Sequence, residues 1–348
     1  MTAQTLPARP EEDASLRPLP WRRMAWVTWR QHRVALAGVA ALLGALAVYL
    51  WITGLQIHHA YAVVTACRPA SSFACGDIAD SFNSTYGAPA NAMAALLQVV
   101  PALIGAFVGA PVLARELETG TFRYAWTQGF GRWRWTLAKL VLLAVAVTIA
   151  AGLFSVLLSW YYQPYFAASN PVPQPPLAPA LFDLRGVAFP AWTLAAFAIG
   201  ALAGMLIRRV VPAIAATLAA YAGLAVAVGV FLRQHYMTPL VTSSLNVPGS
   251  AWVISQWWTK GGMFAFAGWR DAPEGLIQRL CPPPTGPFGK GSPGTLAQCL
   301  VQHGYTQWTS YQPATRFWAF QWIEGGWLLA LSVLLIATTV WLVRRRAA

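Results

Sequence analysis

The stretch ARELETGTFRYAWTQGFGRWRWTLAKL, from Ala114 to Leu140, sets a polar passage between two long apolar blocks. Its first residues include Arg115, Glu116 and Glu118, a Gly-Thr pair follows, and Arg and Lys recur to its end. Each flanking block is long enough to cross a ~30 Å hydrocarbon core as a helix. The passage is therefore where the chain leaves one span, turns at a membrane surface and re-enters.

Composition extends this reading to the whole chain. Of 348 residues, 57% are hydrophobic and 10% charged, against about 25% charged in a soluble domain. Six apolar stretches, near 34–57, 91–114, 136–161, 187–207, 210–232 and 323–343, meet the length of a span. They must be helical, because lipid offers backbone groups no partners and nothing here alternates as a barrel strand does. The fourth and fifth are separated only by Arg208-Arg209, a tight hairpin. The fold class expected is an all-α polytopic membrane protein of six transmembrane helices.

The net charge of +13 is first a topology signal, not a mark of nucleic-acid binding. With six spans, 16 of the 24 basic residues fall on one side, in the N-terminal segment, the 115–139 passage, Arg208-Arg209 and Arg344-Arg345-Arg346. The positive-inside rule makes that side, with both termini, cytoplasmic. Residues 1–20 are polar and Pro-rich, a disordered cytoplasmic tail with no cleavable signal. Residues 21–33, WRRMAWVTWRQHR, place an apolar stripe opposite Arg22, Arg23, Arg30 and Arg33. That pattern suits an amphipathic in-plane helix, with a cytoplasmic extension of the first span as the alternative. The Arg, Ala, Gly and Pro bias suggests a high-GC bacterium and its cytoplasmic membrane.

Opposite lies a sizeable extracytoplasmic cap, 233–322, rich in Trp and suited to rest on the lipid interface. Its 253–269 run reads as an interfacial or re-entrant segment. Cys67, Cys75, Cys281 and Cys299 all fall on this side, where disulfides persist. Local pairing, Cys67–Cys75 and Cys281–Cys299, is the simplest of three connectivities. A metal site is the rival reading, with His303 as one further ligand.

Chemistry of other kinds is sparse. Span interiors read as free of ionisable groups, with Glu324 at an outer helix end, hydrated or capping. Gln98, Ser155, Ser159, Thr193 and Tyr221 read as helix-packing groups. His58-His59 reads as an interfacial polar pair. TGPFGKGSPG (285–294) lacks the Gly and Ser/Thr a phosphate loop needs, having Pro284 and Gly291 instead. Catalytic, cofactor-binding and metal residues are none. A chain without an engine of its own needs an outside source of energy.

Within the opening passage, Arg115 to Glu118 continue the second helix beyond the bilayer. Gly120 supplies a left-handed C-terminal cap and Thr121 caps a short amphipathic helix, Phe122 to Gln128. Arg132, Trp133, Arg134 and Trp135 anchor the third span at the headgroups, and Lys139 belongs to the same tie. The order E-x-E-x-G-T, short helix, R-x-R-W, A-K resembles permeases of bacterial ABC exporters of the second type. TWRQHR (28–33) and YQPATRFWAFQWIE (311–324) look like segments of such permeases from high-GC bacteria.

The resemblance implies a coupling hairpin near 115–135 that docks on a separate ATPase. It maps Glu116, Glu118, Gly120 and Thr121 onto the hairpin motif, with Arg115 beside them. By position, Arg123, Tyr124 and Trp126 become candidates for ATPase contact. It further implies two ATPase subunits carrying the ATP and Mg, and a second permease subunit, identical or homologous. No cofactor is expected in this chain. The apolar spans suggest a hydrophobic or amphipathic cargo. A membrane sensor or resistance component, and an integral-membrane enzyme on a lipid-linked substrate, stand as the rival functions.

Overall fold

The computed structural model describes residues 21–68, 72–120, 132–167, 174–268, 271–273, 275–281 and 293–346. The 1–20 tail, Thr121, Arg123, Tyr124, Trp126 and most of 285–294 lie outside them. Six helices are long and apolar enough to cross a membrane, making the chain a multi-pass membrane protein.

Helix α1 (Trp21–Ala66) is continuous over 46 residues, about 70 Å of helix. The in-plane helix read from 21–33 is corrected to the opening turns of α1, with no break before the first span. The second span is segmented into α2 (Phe73–Leu97), α3 (Val100–Ile104), a π-helical turn at Gly105–Gly109 and α4 (Ala110–Thr119). Pro101 and Pro111 lie in the first turns of α3 and α4, where a missing N–H interrupts the ladder least. At 46 and 47 residues, α1 and the segmented second span are both longer than a ~30 Å core requires, and a Cys67–Cys75 disulfide joins α1 to α2 with Cα atoms 5.7 Å apart. What reads as an outer loop is thus largely helical.

Then follow α5 (Arg132–Phe166), the short α6 (Pro179–Phe182), α7 (Ala188–Ile207) and α8 (Val210–Val226). A π-helical segment, Ala227–Leu232, and a 3₁₀ turn, Arg233–His235, complete the fifth span. The expected tight hairpin is present: Arg208 is left-handed, φ 60°, and Arg209 extended.

Helix α7 is the hub, packing on α3, α4, α5, α8 and the last span. Of the most apolar window, 67% is buried in the second and fourth spans but 11% and 17% in the first and fifth. At the hub, GAFVG (105–109) crosses GALAG (200–204) backbone to backbone. A Cβ on Gly200 would lie 2.3 Å from the Gly105 carbonyl oxygen, and one on Gly204 2.3 Å from that of Ala110. Only glycine permits this approach, the small-xxx-small device of membrane helices.

The cap is a four-stranded antiparallel sheet, β1 (Leu240–Thr242), β2 (Trp252–Lys260), β3 (Met263–Ala267) and β4 (Tyr305–Gln312), in the order β1-β4-β2-β3. Most of the 253–269 run, whose Trp269 lies outside the described residues, is accordingly a β-hairpin. Gly261 and Gly262, both at positive φ, form its two-residue turn. Helices α9 (Leu276–Leu280) and α10 (Pro293–Gln302) are joined by Cys281–Cys299 and cover Trp258 and Phe266. A 3₁₀ turn at Ala314–Arg316 leads into α11 (Phe317–Arg346), the sixth span.

Candidate functional site

The last turn of α4 begins the site. Thr119 is followed by Gly120 at φ 69°, the left-handed cap read from the sequence. The two acids before it face different partners. Glu116 Oε1 lies 2.5 Å from Lys139 Nζ on α5, and that amine also donates to the Val112 carbonyl at 3.3 Å. Lys139 is 2% exposed. Its expected headgroup role is corrected: it is a buried cation, paired because an isolated one would be costly in apolar surroundings.

Glu118 Oε2 accepts from the backbone N–H of Val210 at 3.0 Å. Val210 opens α8, where Arg209 offers no side-chain cap. A carboxylate from another helix satisfies the free donor and complements the positive end of the helix dipole. One helical turn of α4 is therefore tied to α5 and α8 by two acids, two residues apart. Trp133 is 40% exposed beneath the Arg134 guanidinium, 5.4 Å from its ring centroid, while Trp135 is half-buried, its indole N–H without a hydrogen-bond partner among the described residues.

A second polar centre lies at the cap end. Arg233 and Glu324, both fully buried, pair through Nε–Oε2 at 3.0 Å and Nη2–Oε1 at 2.8 Å. Asp183 takes a further bond from Arg233 Nη2. Trp192 donates to Glu324 Oε1 at 2.8 Å and Tyr236 to its Oε2 at 3.1 Å, and Trp327 donates to Tyr236 at 3.0 Å. Burial pushes the Asp183 carboxyl up to about 8; Arg233 opposes that shift and the nearby Glu324 charge adds to it. Two carboxylates thus share one guanidinium. Neighbouring Arg185 stacks on Phe166 and Phe317, and burial lowers it to about 10.

This centre corrects two expectations. Arg233, read from the sequence as the first residue of the cap, sits instead in a buried ion pair at the end of the fifth span, and Glu324 is neither hydrated nor capping. The available signal was topological: Asp183 before the fourth span, Arg233 ending the fifth and Glu324 opening the sixth all fall at one end.

The remaining polar groups are packing elements. His58 stacks on Trp160 and bonds its carbonyl through Nε2 at 2.9 Å. Gln98 donates to Ala180 and Ser155 to Gly186. Cys281, Cys299 and His303 bring ligand-type atoms together, but both sulfurs are committed to the disulfide, so the paired reading holds over the metal one.

Residues 40–233 match the family model described as ABC-2 membrane transporter related. No curated protein and no solved structure matches the chain. The match spans more than half the chain, from within the first span to Arg233, and so contains the α4 turn with both its ties.

Proposed function

The chain belongs to the ABC-2 membrane transporter related family, and on that premise we propose that it is the permease subunit of an ATP-driven exporter. Its Arg-rich end faces the cytoplasm of a bacterial cell, and both termini lie there. Two ATPase subunits carry the ATP and Mg, and a second permease, identical or homologous, completes the complex. Residues 115–128 form the ATPase docking element, with Arg123, Tyr124 and Trp126 as contacts, while Arg132 to Trp135 hold the following span at the headgroups.

The observation that supports this most is the double tie of α4: Glu116 to Lys139 and Glu118 to Val210. A push on the docking element is delivered at once to the second, third and fifth spans. The glycine crossing passes it to α7. Closure of the ATPase pair on ATP then shifts the spans between two packings, as rigid elements move about an interface. The largely exposed apolar faces of the first and fifth spans suit a hydrophobic or amphipathic cargo.

Co-expression with a free-standing ABC ATPase from the same cell tests this. Arg123→Glu with Trp126→Ala abolishes co-purification, and Gly120→Pro lowers cargo-stimulated ATP turnover. If all three changes leave association and turnover intact, the docking assignment is wrong.

A further inference from the structure

At the Arg-rich end, a cavity of about 830 Å³ opens between α1, α4, α5 and α8, inside the ~300–1,000 Å³ range of small-molecule sites. Its charge is one-sided. Arg30 and Arg33, three residues apart on α1 and so on neighbouring positions of one face, line it with Arg115 of α4. Among the described residues, no ion pair engages any of the three. Among the described lining residues the one carboxylate, Glu116, is already neutralised by Lys139 at 2.5 Å. The rest of the lining is largely apolar, including Phe107, Pro111 and Ile214, and Phe107 is 52% exposed.

Three guanidiniums without a carboxylate partner among the described residues, Arg30 lying over the Trp26 ring at 5.4 Å, stand beside an apolar wall at the ends of membrane spans. They match one ligand chemistry, a phosphate joined to hydrocarbon. A cationic molecule is repelled, and a fully polar anion leaves the wall unused. Guanidinium forks suit phosphate oxygens, and basic pockets between spans are where anionic headgroups are held. We propose that this cavity binds one anionic phospholipid, its phosphate on Arg30, Arg33 and Arg115 and an acyl chain along Phe107, Pro111 and Ile214. The lipid bridges α1 to α4, two helices whose arginines otherwise repel. The proposal takes from the functional reading only that the chain spans a bilayer.

The test is native mass spectrometry of the full chain in detergent, without any ATPase, titrated with phosphatidylglycerol or phosphatidylcholine of identical chains. The wild type retains one phosphatidylglycerol in preference to phosphatidylcholine. Arg30→Gln and Arg33→Gln each weaken that retention about fivefold, and together about 25-fold, leaving phosphatidylcholine unaffected. Arg30→Lys with Arg33→Lys keeps most of the preference; a loss equal to that of the Gln pair would overturn capture by charge. Equal retention of the two lipids, or an unaltered Gln pair, would overturn the site. Glycerol 3-phosphate tests the wall: if it displaces the lipid at equal concentration, the ligand is a free phosphate and the lipid assignment fails. Because no ATPase is present, these outcomes stand apart from those of the co-purification experiment.

Discussion

Gly200 approaches Gly105 so closely that a Cβ on the first would lie 2.3 Å from the carbonyl oxygen of the second. Backbone cannot yield as a flexible side chain does, so Gly200→Ala forces α7 away from the second span. The expected cost is about 1–3 kcal/mol, the range for overpacking a well-filled interior, read as a lower melting temperature in detergent. Gly152→Ala is the control: nothing lies within 4 Å of its Cβ, and a helix-interior Gly→Ala change is neutral to stabilising.

Lys139 and Glu116 form a pair that is weaker as a whole than either half is costly alone. Glu116→Gln leaves Lys139, 2% exposed, as a buried cation without its carboxylate, at a cost of about 3 kcal/mol. Adding Lys139→Met removes that charge and recovers most of the loss. A double-mutant cycle on thermal stability checks this, and additive effects would contradict the coupling.

The Asp183 carboxyl gives a pH dependence of definite sign. Its folded value is raised from 3.8 to about 8 by burial, so between those values the folded state holds a proton that the unfolded state has released. Stability from this group is full below about pH 4 and is lost as pH rises through 8. Melting temperature should therefore fall across that window in the wild type. In Asp183→Asn this component of the fall should be absent.

Each disulfide closes a short loop, of 8 residues for Cys67–Cys75 and 18 for Cys281–Cys299. Chain entropy assigns the second about 3 kcal/mol. Without reductant, all four cysteines should resist alkylation. Reduction should speed hydrogen exchange at Leu276–Leu280, where α9 is held over the sheet, while leaving α7 unchanged.

Hydropathy made the six spans legible, because a bilayer demands long apolar helices whatever they pack against. Gly120 was legible too, since a left-handed helix cap is a local event. Partners distant in sequence were not. Arg233 lies 91 residues from Glu324 and 50 from Asp183, and no local pattern announces such a meeting. The glycine crossing had the same difficulty: GAFVG and GALAG show the spacing, but only packing shows that they face each other. In the cap, WVISQWWTK (252–260) hides its strand period because Trp257 and Trp258 are adjacent and the register shifts at Val253/Ser255 and at Trp258/Thr259. The sequence alone also left α1 ambiguous at 21–33, since amphipathicity marks a helix without saying whether it bends.

The sheet of the cap has a mechanical consequence. Strand β1 follows the fifth span and β4 precedes the sixth, and the two are zipped together through Leu240↔Tyr311, Val241↔Ser310 and Thr242↔Thr309. Just below, Arg233 and Glu324 rivet the same two spans. Pulling them apart at this end would require breaking both fastenings together. The fifth and sixth spans are therefore held like the legs of a pair of tongs, pinned under the cap, so that any separation between them has to begin toward the Arg-rich end.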